Sequence, residues 1–251
     1  MAFMECHFTS KVLDLSVSVN LLVPDDIQEG EKLKVLYLLH GYMGNHTDWM
    51  RYTSIERYLW NHRMIVVMPS AMNSYYADMV YGMPWFTFIS SELPQFVERL
   101  LPISKKKEDR FICGLSMGGY GAFKIALTYP NAFQYAGSLS GALDVESVRK
   151  MMKDTPRARL YDAMFGQLPI EGSSSDLFHL VKKNVQAKEK MPHLYMACGT
   201  EDFLYQDNQH FKNHLEKHHV DFTYVEGKGD HSWAFWDQYI LKFLEHIKQG
   251  R

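Results

Sequence analysis

The chain has 251 residues, of which 46% are hydrophobic and 22% are charged, and its formal net charge is −2. This length allows one well-buried domain over residues 1–251 without requiring a second, and the composition excludes the disordered and fibrous classes of protein. The nearly neutral charge provides no general attraction to nucleic acid or to an anionic membrane surface.

Apolar residues alternate with polar ones over residues 13–21, which predicts a strand with one buried face. Phe8 and Val12 belong to a preceding strand, so the chain is predicted to open with an antiparallel pair that ends near Pro24. The next strands have a different pattern, because they are short and almost wholly apolar. Such runs are typical of a parallel sheet that is covered on both faces. They lie at residues 35–39, 64–68, 110–114, 135–139 and 193–198.

Helices are predicted between these strands. Thr53 and Glu56 form a capping-box pattern at one helix start, and Ser91 precedes another amphipathic segment. Two longer helices are predicted over residues 116–129 and 233–247. The alternation of strands and helices predicts an α/β fold with a mostly parallel central sheet and helices on both faces.

Residues 142–191 interrupt this alternation, since they contain helical pieces and polar connectors but no predicted strand. The interval is too long for a simple crossover between neighbouring strands. Two interpretations stay open: a lid-like helical excursion at the edge of a functional site, or a surface decoration.

Residues 114–118 have the sequence Gly-Leu-Ser-Met-Gly and match the G-x-S-x-G pattern. The pattern directly follows a predicted strand and opens a predicted helix, as the nucleophile elbow of an α/β-hydrolase requires. Gly114 and Gly118 are small enough to flank a serine on such a tight turn. Ser116 is therefore the predicted nucleophile.

A serine hydroxyl needs a base, and in this fold the histidine follows the last strand of the sheet. The strand predicted at residues 222–227 is followed by His231, which we assign as the base among twelve histidines. The acid is expected after the preceding strand, which places Asp202 first and leaves Glu201, Asp207 and Asp230 as competitors. Asp202 would orient the imidazole and stabilise its protonated form.

Two backbone N–H groups are expected to stabilise the oxyanion of the reaction. One belongs to Met117, the residue after the nucleophile. The other is expected in the glycine-containing loop after residues 35–39, where Tyr42 is the first choice and Gly41 the second. His40 in the same loop is predicted to have a structural role.

These residues resemble the esterase family of α/β-hydrolases that includes tributyrin esterase and S-formylglutathione hydrolase, with tributyrin esterase the closer branch. The resemblance spans nearly the whole chain, and its most distinctive part is the stretch around Ser116. The matching segments are LLHGYMGNHTDW (38–49), SELP (91–94), FICGLSMGGYGAFKIALTYP (111–130), ACGTEDFL (197–204) and GDHSWAFWDQ (229–238).

The resemblance implies a carboxylesterase that acts on short acyl chains, from acetyl to about butyryl, without a metal or organic cofactor. It also supports catalytic roles for Ser116, Asp202 and His231. The alternatives are an S-formylglutathione or other thioester hydrolase and an acetyl or feruloyl carbohydrate esterase. The loop sequence GYMGNHTDW differs from the cysteine-containing stretch of S-formylglutathione hydrolases, which makes that activity the less favoured one. A catalytically inactive binding protein is the alternative from another class.

Other residues suggest secondary features. Trp85 and Trp233 are candidates for substrate contact because both lie near loops expected at the site. His210, His214 and His218 recur at helical spacing, but without nearby cysteines or carboxylates they form a poor zinc signature, so no metal is expected.

The expected partner is a small-molecule ester, and neither a nucleic-acid nor a membrane partner is predicted, while a homo-oligomer stays open. No apolar run approaches the roughly 20 residues of a spanning helix, and the first residues do not resemble a signal peptide. The three cysteines are odd in number and widely spaced, which favours reduced thiols. A cytoplasmic location is therefore expected.

Overall fold

A computed structural model of the chain describes residues 1–250. Its strands are β1 (Ala2–Ser10), β2 (Leu15–Val23), β3 (Lys34–Leu39), β4 (Met64–Pro69), β5 (Arg110–Leu115), β6 (Tyr135–Leu139), β7 (His193–Gly199) and β8 (Phe222–Gly227). Its helices are α1 (Asp48–Tyr52), α2 (Ile55–Tyr58), α3 (Trp85–Thr87), α4 (Leu93–Leu100), α5 (Met117–Thr128), α6 (Val145–Met152), α7 (Ala158–Phe165), α8 (Leu177–Ala187), α9 (Tyr205–Lys217) and α10 (Trp233–Gln249).

The strands form one sheet in the order β1-β2-β4-β3-β5-β6-β7-β8. The last six strands in that order are parallel to one another, whereas β2 pairs antiparallel with both β1 and β4. The predicted mostly parallel sheet with an antiparallel N-terminal pair is confirmed. Because the carboxyl ends of the parallel strands share one edge, the loops after β3, β5, β7 and β8 meet there.

Side chains of β3 alternate between two cores, one on each face of the sheet. Tyr37 belongs to the core that includes Phe123 of α5, and Leu38 belongs to the core that includes Phe243 of α10. All four side chains are at most 1% exposed. Strands buried on both faces need apolar residues at every position, which explains the continuous apolar runs in the sequence.

Three local predictions are wrong in detail. Thr53 and Glu56 do not form a capping box: α2 begins at Ile55, and Asp237 of α10 accepts the Ser54 N–H at 2.8 Å. Ser91 does not cap a helix, because it lies within a π-helical turn at residues 88–92 that continues into α4. Val12 lies in the turn between β1 and β2 and not in a strand. At the start of α2, a contact with the distant helix α10 replaces the local capping pattern.

Residues 142–191 contain α6, α7 and α8 and, as predicted, no strand. Leu180 and Val181 of α8 are buried in the core that also contains α5, so α8 belongs to the helical layer of the fold. Tyr161 of α7 reaches the loop after β4, where its hydroxyl lies 2.7 Å from that of Tyr75. Within residues 1–250, no helix combines the length and the apolar character that crossing a bilayer requires.

Candidate active site

Ser116 lies between the last residue of β5 and the first residue of α5. Its backbone angles are φ 53° and ψ −118°, a conformation that a non-glycine residue adopts only at a strained position. The side chain is 9% exposed at the carboxyl edge of the sheet. Strand, sharp turn and helix therefore form the predicted elbow around this serine.

The small residues around Ser116 have a steric cause. A Cβ atom on Gly114 would lie 2.3 Å from the carbonyl carbon of Gly118. A Cβ atom on Gly118 would lie 2.5 Å from the carbonyl oxygen of Leu39 in β3. Both obstacles are backbone atoms that cannot rotate away, so the turn has this shape only with glycine at both positions.

His231 and Asp202 complete the predicted group of three residues. His231 Nδ1 lies 2.8 Å and 3.0 Å from the two carboxylate oxygens of Asp202, and Nε2 lies 2.9 Å from Ser116 Oγ. An ionised carboxylate only accepts hydrogen bonds, so Nδ1 carries the proton and Nε2 is free to accept the serine hydroxyl. The structure thus brings together a nucleophile, a base and an orienting acid.

The acid at the inner end of this hydrogen-bonded chain is more deeply buried than the base. The Asp202 side chain is fully buried, and the side chain of His231 is 19% exposed. Asp202 also accepts the backbone N–H of Leu204 at 2.8 Å, which fixes the carboxylate. Of its competitors, Asp207 instead accepts the hydroxyl of Ser147 at 3.1 Å.

In the loop after β3, hydrogen bonds fix the orientation of the peptide group that joins Gly41 to Tyr42. The Gly41 carbonyl oxygen accepts His40 Nδ1–H at 2.7 Å and the Gly44 N–H at 3.1 Å. In a trans peptide the N–H points away from the carbonyl, so the Tyr42 N–H points away from these partners. Within residues 1–250 it donates to no protein acceptor.

His40 stabilises this loop. Its ring is 1% exposed, and its Nε2 accepts the backbone N–H of Ala71 at 2.9 Å, so the proton resides on Nδ1. Burial lowers the pKa of His40 to about 4, which keeps the ring neutral. The ring therefore connects the loop after β3 to the loop after β4 through one donated and one accepted hydrogen bond, which agrees with the predicted structural role.

Met117 is the first residue of α5, so its N–H has no acceptor within the helix. Its Sδ accepts the backbone N–H of Tyr75 at 3.3 Å, which ties the loop after β4 to the elbow. Tyr75 in turn lies 6.4 Å from the Tyr42 ring, measured between centroids. The two predicted oxyanion residues, Met117 and Tyr42, thus share Tyr75 as a neighbour.

The two tryptophans predicted to contact substrate have different positions. Trp85 is 4% exposed and packs edge-on against Phe88 in the core, and its contact with substrate stays a prediction. Short aromatic runs occur both in cores and in pockets, and here helix packing places the indole inside. Trp233 is partly buried, and its ring centroid lies 5.2 Å from that of Trp236, whose ring contacts His231.

Sequence reasoning missed two aromatic neighbours of the base. The Phe203 ring centroid lies 4.6 Å from that of His231, and the Trp236 centroid lies 4.9 Å away. Phe203 directly follows Asp202, so its adjacency to the predicted acid was the available signal. Trp236 lies one helical turn after Trp233, where periodicity indicates burial but not a contact with the imidazole.

A cleft of about 810 Å³ lies between α6, α8 and α9 and does not include Ser116 or His231. We assign the site by the hydrogen-bonded residues, because chemistry depends on their geometry and not on cleft size. His210 and His214 line that cleft, and His214 Nε2 contacts the Phe178 carbonyl oxygen at 3.1 Å. Within residues 1–250, no group of three or more metal-ligating side chains converges.

Comparison with known proteins agrees with this geometry. The sequence model of the family described as "Putative esterase" matches residues 10–247. An acetyl esterase of Caldicellulosiruptor saccharolyticus is 37% identical over 263 aligned residues, which cover 99% of this chain and 99% of that protein.

Two solved structures from Staphylococcus aureus are also similar. The substrate-bound fluorophosphonate-binding serine hydrolase F has 35% identity and a TM-score of 0.92, and an S-formylglutathione hydrolase has 34% identity and a TM-score of 0.89. Each match covers 98% of both chains. The chain therefore belongs to the "Putative esterase" family, and it is a serine hydrolase of the α/β-hydrolase fold that cleaves carboxylic esters.

Proposed function

We propose that this enzyme hydrolyses esters of short acyl chains, from acetyl to butyryl, through an acyl-serine intermediate on Ser116. The observation that carries the proposal is the continuous hydrogen-bonded chain from Asp202 through His231 to Ser116. The 37% identity to an acetyl esterase over the whole length supports a small acyl group.

In the first half of the reaction, Ser116 Oγ attacks the ester carbonyl carbon while its proton moves to His231 Nε2. The tetrahedral intermediate then collapses: the bond from carbon to the alcohol oxygen breaks, and His231 returns the proton to that oxygen. Asp202 keeps Nδ1 protonated and stabilises the imidazolium without taking the proton. The free alcohol leaves, and the acyl group stays on Ser116.

In the second half, water takes the place of the alcohol. His231 Nε2 accepts a proton from water as its oxygen attacks the acyl carbon. Collapse of this second intermediate breaks the bond to Ser116 Oγ, which recovers its proton from His231. The acid product leaves, and the enzyme returns to its starting state.

We assign the Met117 and Tyr42 N–H groups to the oxyanion of both intermediates. The elbow places Met117 at the start of α5, where the helix dipole also favours negative charge. The two hydrogen bonds to the Gly41 carbonyl support Tyr42 over Gly41, because they fix the direction of the Tyr42 N–H. Such donors stabilise a developing oxyanion by about 3–4 kcal/mol each.

Crowding beside Met117 supports the limit on acyl length. Tyr75 and Tyr161 are 4% and 2% exposed, and their hydroxyls lie 2.7 Å apart. The Tyr75 ring also lies 5.8 Å from the ring of Tyr120 on α5. Close-packed aromatic rings leave little room for a long acyl chain on this side of the serine.

A thioester activity is the second candidate, because the S-formylglutathione hydrolase of Staphylococcus aureus is 34% identical over nearly the whole chain. The same acyl-serine chemistry cleaves a thioester, in which the leaving group is a thiol. A kcat/KM for S-formylglutathione at least 100-fold above that for p-nitrophenyl acetate would favour this activity over ester hydrolysis.

We further propose a reducing, cytoplasmic setting. Cys6, Cys113 and Cys198 are free thiols, and the latter two are buried. Burial raises the pKa of Cys113 and of Cys198 well above the ordinary value, which keeps both thiols protonated and unreactive. Labelling with a thiol reagent in denaturant, directly after acid quenching of the cells, checks that all three cysteines are reduced in cells.

The deciding experiment uses p-nitrophenyl acetate, butyrate and octanoate with the wild type, Ser116→Ala and Ser232→Ala. Ser232 lies beside His231 and its hydroxyl does not cap α10, so this variant is the matched control. We expect acetate and butyrate to react faster than octanoate, and Ser116→Ala alone to lose several orders of magnitude in kcat. Activity that persists in Ser116→Ala, or a preference for octanoate, would refute the proposal.

A fluorophosphonate probe separates an inactive binding protein from an esterase of unknown substrate. Labelling of Ser116 in the folded wild type and its absence in Ser116→Ala would demonstrate an activated serine. Failure to label the folded protein would instead favour a binding role.

A further inference from the structure

The environment of His231 is aromatic on two sides, and only one of the two rings is accessible. Trp236 is 6% exposed and lies nearly perpendicular to the imidazole, at 89°. Phe203 is 56% exposed and tilted by 55°, with 4.6 Å between ring centroids. A large apolar side chain that is exposed beside a catalytic base has a free face available for substrate.

The backbone around Phe203 is rigid. The N–H of Leu204 donates to the Asp202 carboxylate at 2.8 Å, and the N–H of Tyr205 donates to the Asp202 carbonyl oxygen at 3.0 Å. Leu204 itself is 1% exposed and anchors the turn in the core. Phe203 is therefore held at its position by the same residue that orients the base.

The chemistry of the leaving group determines which half of the ester meets this ring. His231 Nε2 donates its proton to the alcohol oxygen, so that oxygen lies within about 3 Å of Nε2 in the transition state. The carbon substituent of the alcohol then lies beside the imidazole. The carbonyl oxygen points instead toward the N–H groups of Met117 and Tyr42, away from the imidazole.

We propose that Phe203 is a specificity-determining residue for the alcohol half of the substrate. It favours alcohols that carry a six-membered ring, whose flat face packs against the exposed face of Phe203. Both an aromatic alcohol and a pyranose sugar have such a face, and the two share this contact. The inference rests on the proposed ester hydrolysis and adds to it the class of leaving group.

The test compares benzyl acetate with ethyl acetate, because both are acetates of primary alcohols with leaving groups of similar basicity. The variants are Phe203→Ala, Phe203→Leu and the control Trp60→Ala. Trp60 is 74% exposed and precedes β4, at the edge of the sheet opposite to Ser116. Methyl 6-O-acetyl-glucopyranoside is the third substrate and distinguishes a sugar ring from an aromatic ring.

We expect the ratio of kcat/KM for benzyl acetate to that for ethyl acetate to fall roughly three- to tenfold in Phe203→Ala, the range of one aromatic contact. This ratio is expected to fall less in Phe203→Leu, since leucine keeps apolar volume but lacks the flat face. Trp60→Ala is expected to leave the ratio unchanged. A larger loss for the sugar acetate than for benzyl acetate would identify the sugar as the favoured source of the ring.

An unchanged ratio in both Phe203 variants would overturn the inference. An equal fall for benzyl and ethyl acetate, with a shifted pH profile, would also overturn it, because Phe203 would then only position His231. The fluorophosphonate probe separates either result from failure of the proposed function: a labelled Ser116 with an unchanged ratio contradicts the role of Phe203 alone. Because Phe203 is exposed, we expect both variants to fold, and circular dichroism checks this.

Discussion

Asp202 and His231 lie on two loops that are hydrogen-bonded to each other. The loops follow the neighbouring parallel strands β7 and β8, which pair as far as Gly199 and Gly227. Beyond the sheet, the N–H of Thr200 donates to the Gly227 carbonyl at 2.9 Å, and the N–H of Glu201 donates to the Gly229 carbonyl at 3.0 Å. The contact between acid and base is therefore a continuation of the sheet pairing.

This relationship predicts the effect of Asp202→Asn. An amide at this position can donate to Nδ1 and so favours the wrong imidazole tautomer, with Nε2 protonated and unable to accept the serine proton. By analogy with other serine hydrolases, we expect kcat on p-nitrophenyl acetate to fall by about 10⁴-fold with KM nearly unchanged.

Asp230→Asn is the matched control for this variant, because Asp230 is adjacent to His231 in sequence but its carboxylate does not contact the imidazole. We expect it to retain kcat within about twofold. Equal losses in the two variants would contradict the assignment of Asp202.

The elbow predicts that Gly118→Ala damages both stability and activity. The new Cβ would lie 2.5 Å and 2.6 Å from the carbonyl oxygens of Leu39 and His40, so β3 or the elbow has to shift. We expect the free energy of unfolding to fall by about 1–3 kcal/mol and kcat to fall at least tenfold. Urea unfolding and the ester assay measure the two effects.

Gly30→Ala serves as the control, because no heavy atom lies within 4 Å of its Cβ position. Its φ of +76° is unfavourable for alanine, so we expect a loss of about 1 kcal/mol in stability with full activity in the folded protein. A Gly118→Ala enzyme with wild-type kcat would show that the elbow tolerates the shift.

His40 predicts a specific loss of stability in acid. The pKa of His40 is about 4 in the folded protein, and we take the ordinary value of 6.5 for the unfolded chain. Between these two pH values, the unfolded chain therefore binds a proton that the folded protein does not. Stability contributed by neutral His40 is therefore complete above pH 6.5 and declines as the pH falls toward 4. The expected loss is on the order of 3 kcal/mol.

Replacement of His40 by glutamine removes this titration, because the amide keeps a donor and an acceptor but binds no proton. We expect the free energy of unfolding, measured in urea, to decrease less between pH 7 and pH 4.5 in His40→Gln than in the wild type. Parallel decreases in the two proteins would contradict the role of His40.

The buried charge of Lys124 lowers the stability of the folded protein, so its removal is expected to raise the free energy of unfolding. Its side chain is a buried part of α5, its Nζ lies 3.3 Å from Ser175 Oγ, and burial lowers its pKa to about 8 from 10.5. Between pH 8 and 10.5 only the unfolded chain binds the proton, so stability rises with pH in that range. Below pH 8 the buried charge is present and lowers stability in full.

We expect Lys124→Met to raise the free energy of unfolding at pH 7 by about 1–2 kcal/mol, with the gain vanishing above pH 10.5. The Phe86 ring, 5.1 Å from Nζ, offsets part of the cost of the charge and limits the gain. Lys105→Met is the control, since that side chain is 77% exposed. A destabilised Lys124→Met protein would show that the ammonium is net favourable where it lies.

Much of the site follows from features that are local along the chain. An elbow is a strand, a turn and a helix within a few residues, so G-x-S-x-G after an apolar run was sufficient to predict Ser116. Asp202 and His231 were predictable because parallel strands bring their carboxyl ends to one edge, whatever the residues in between. The sheet itself was predictable because burial on both faces demands continuous apolar runs.

Contacts between distant elements were decided only by the tertiary structure. Asp237 meets the start of α2 across 183 residues of sequence, and no local pattern at Thr53 reports that contact. The same applies to Trp85, which packing places in the core, and to Phe203, which packing places against His231. Periodicity reveals that a side chain is buried or exposed on its own element, whereas its neighbour is determined by how elements pack against one another.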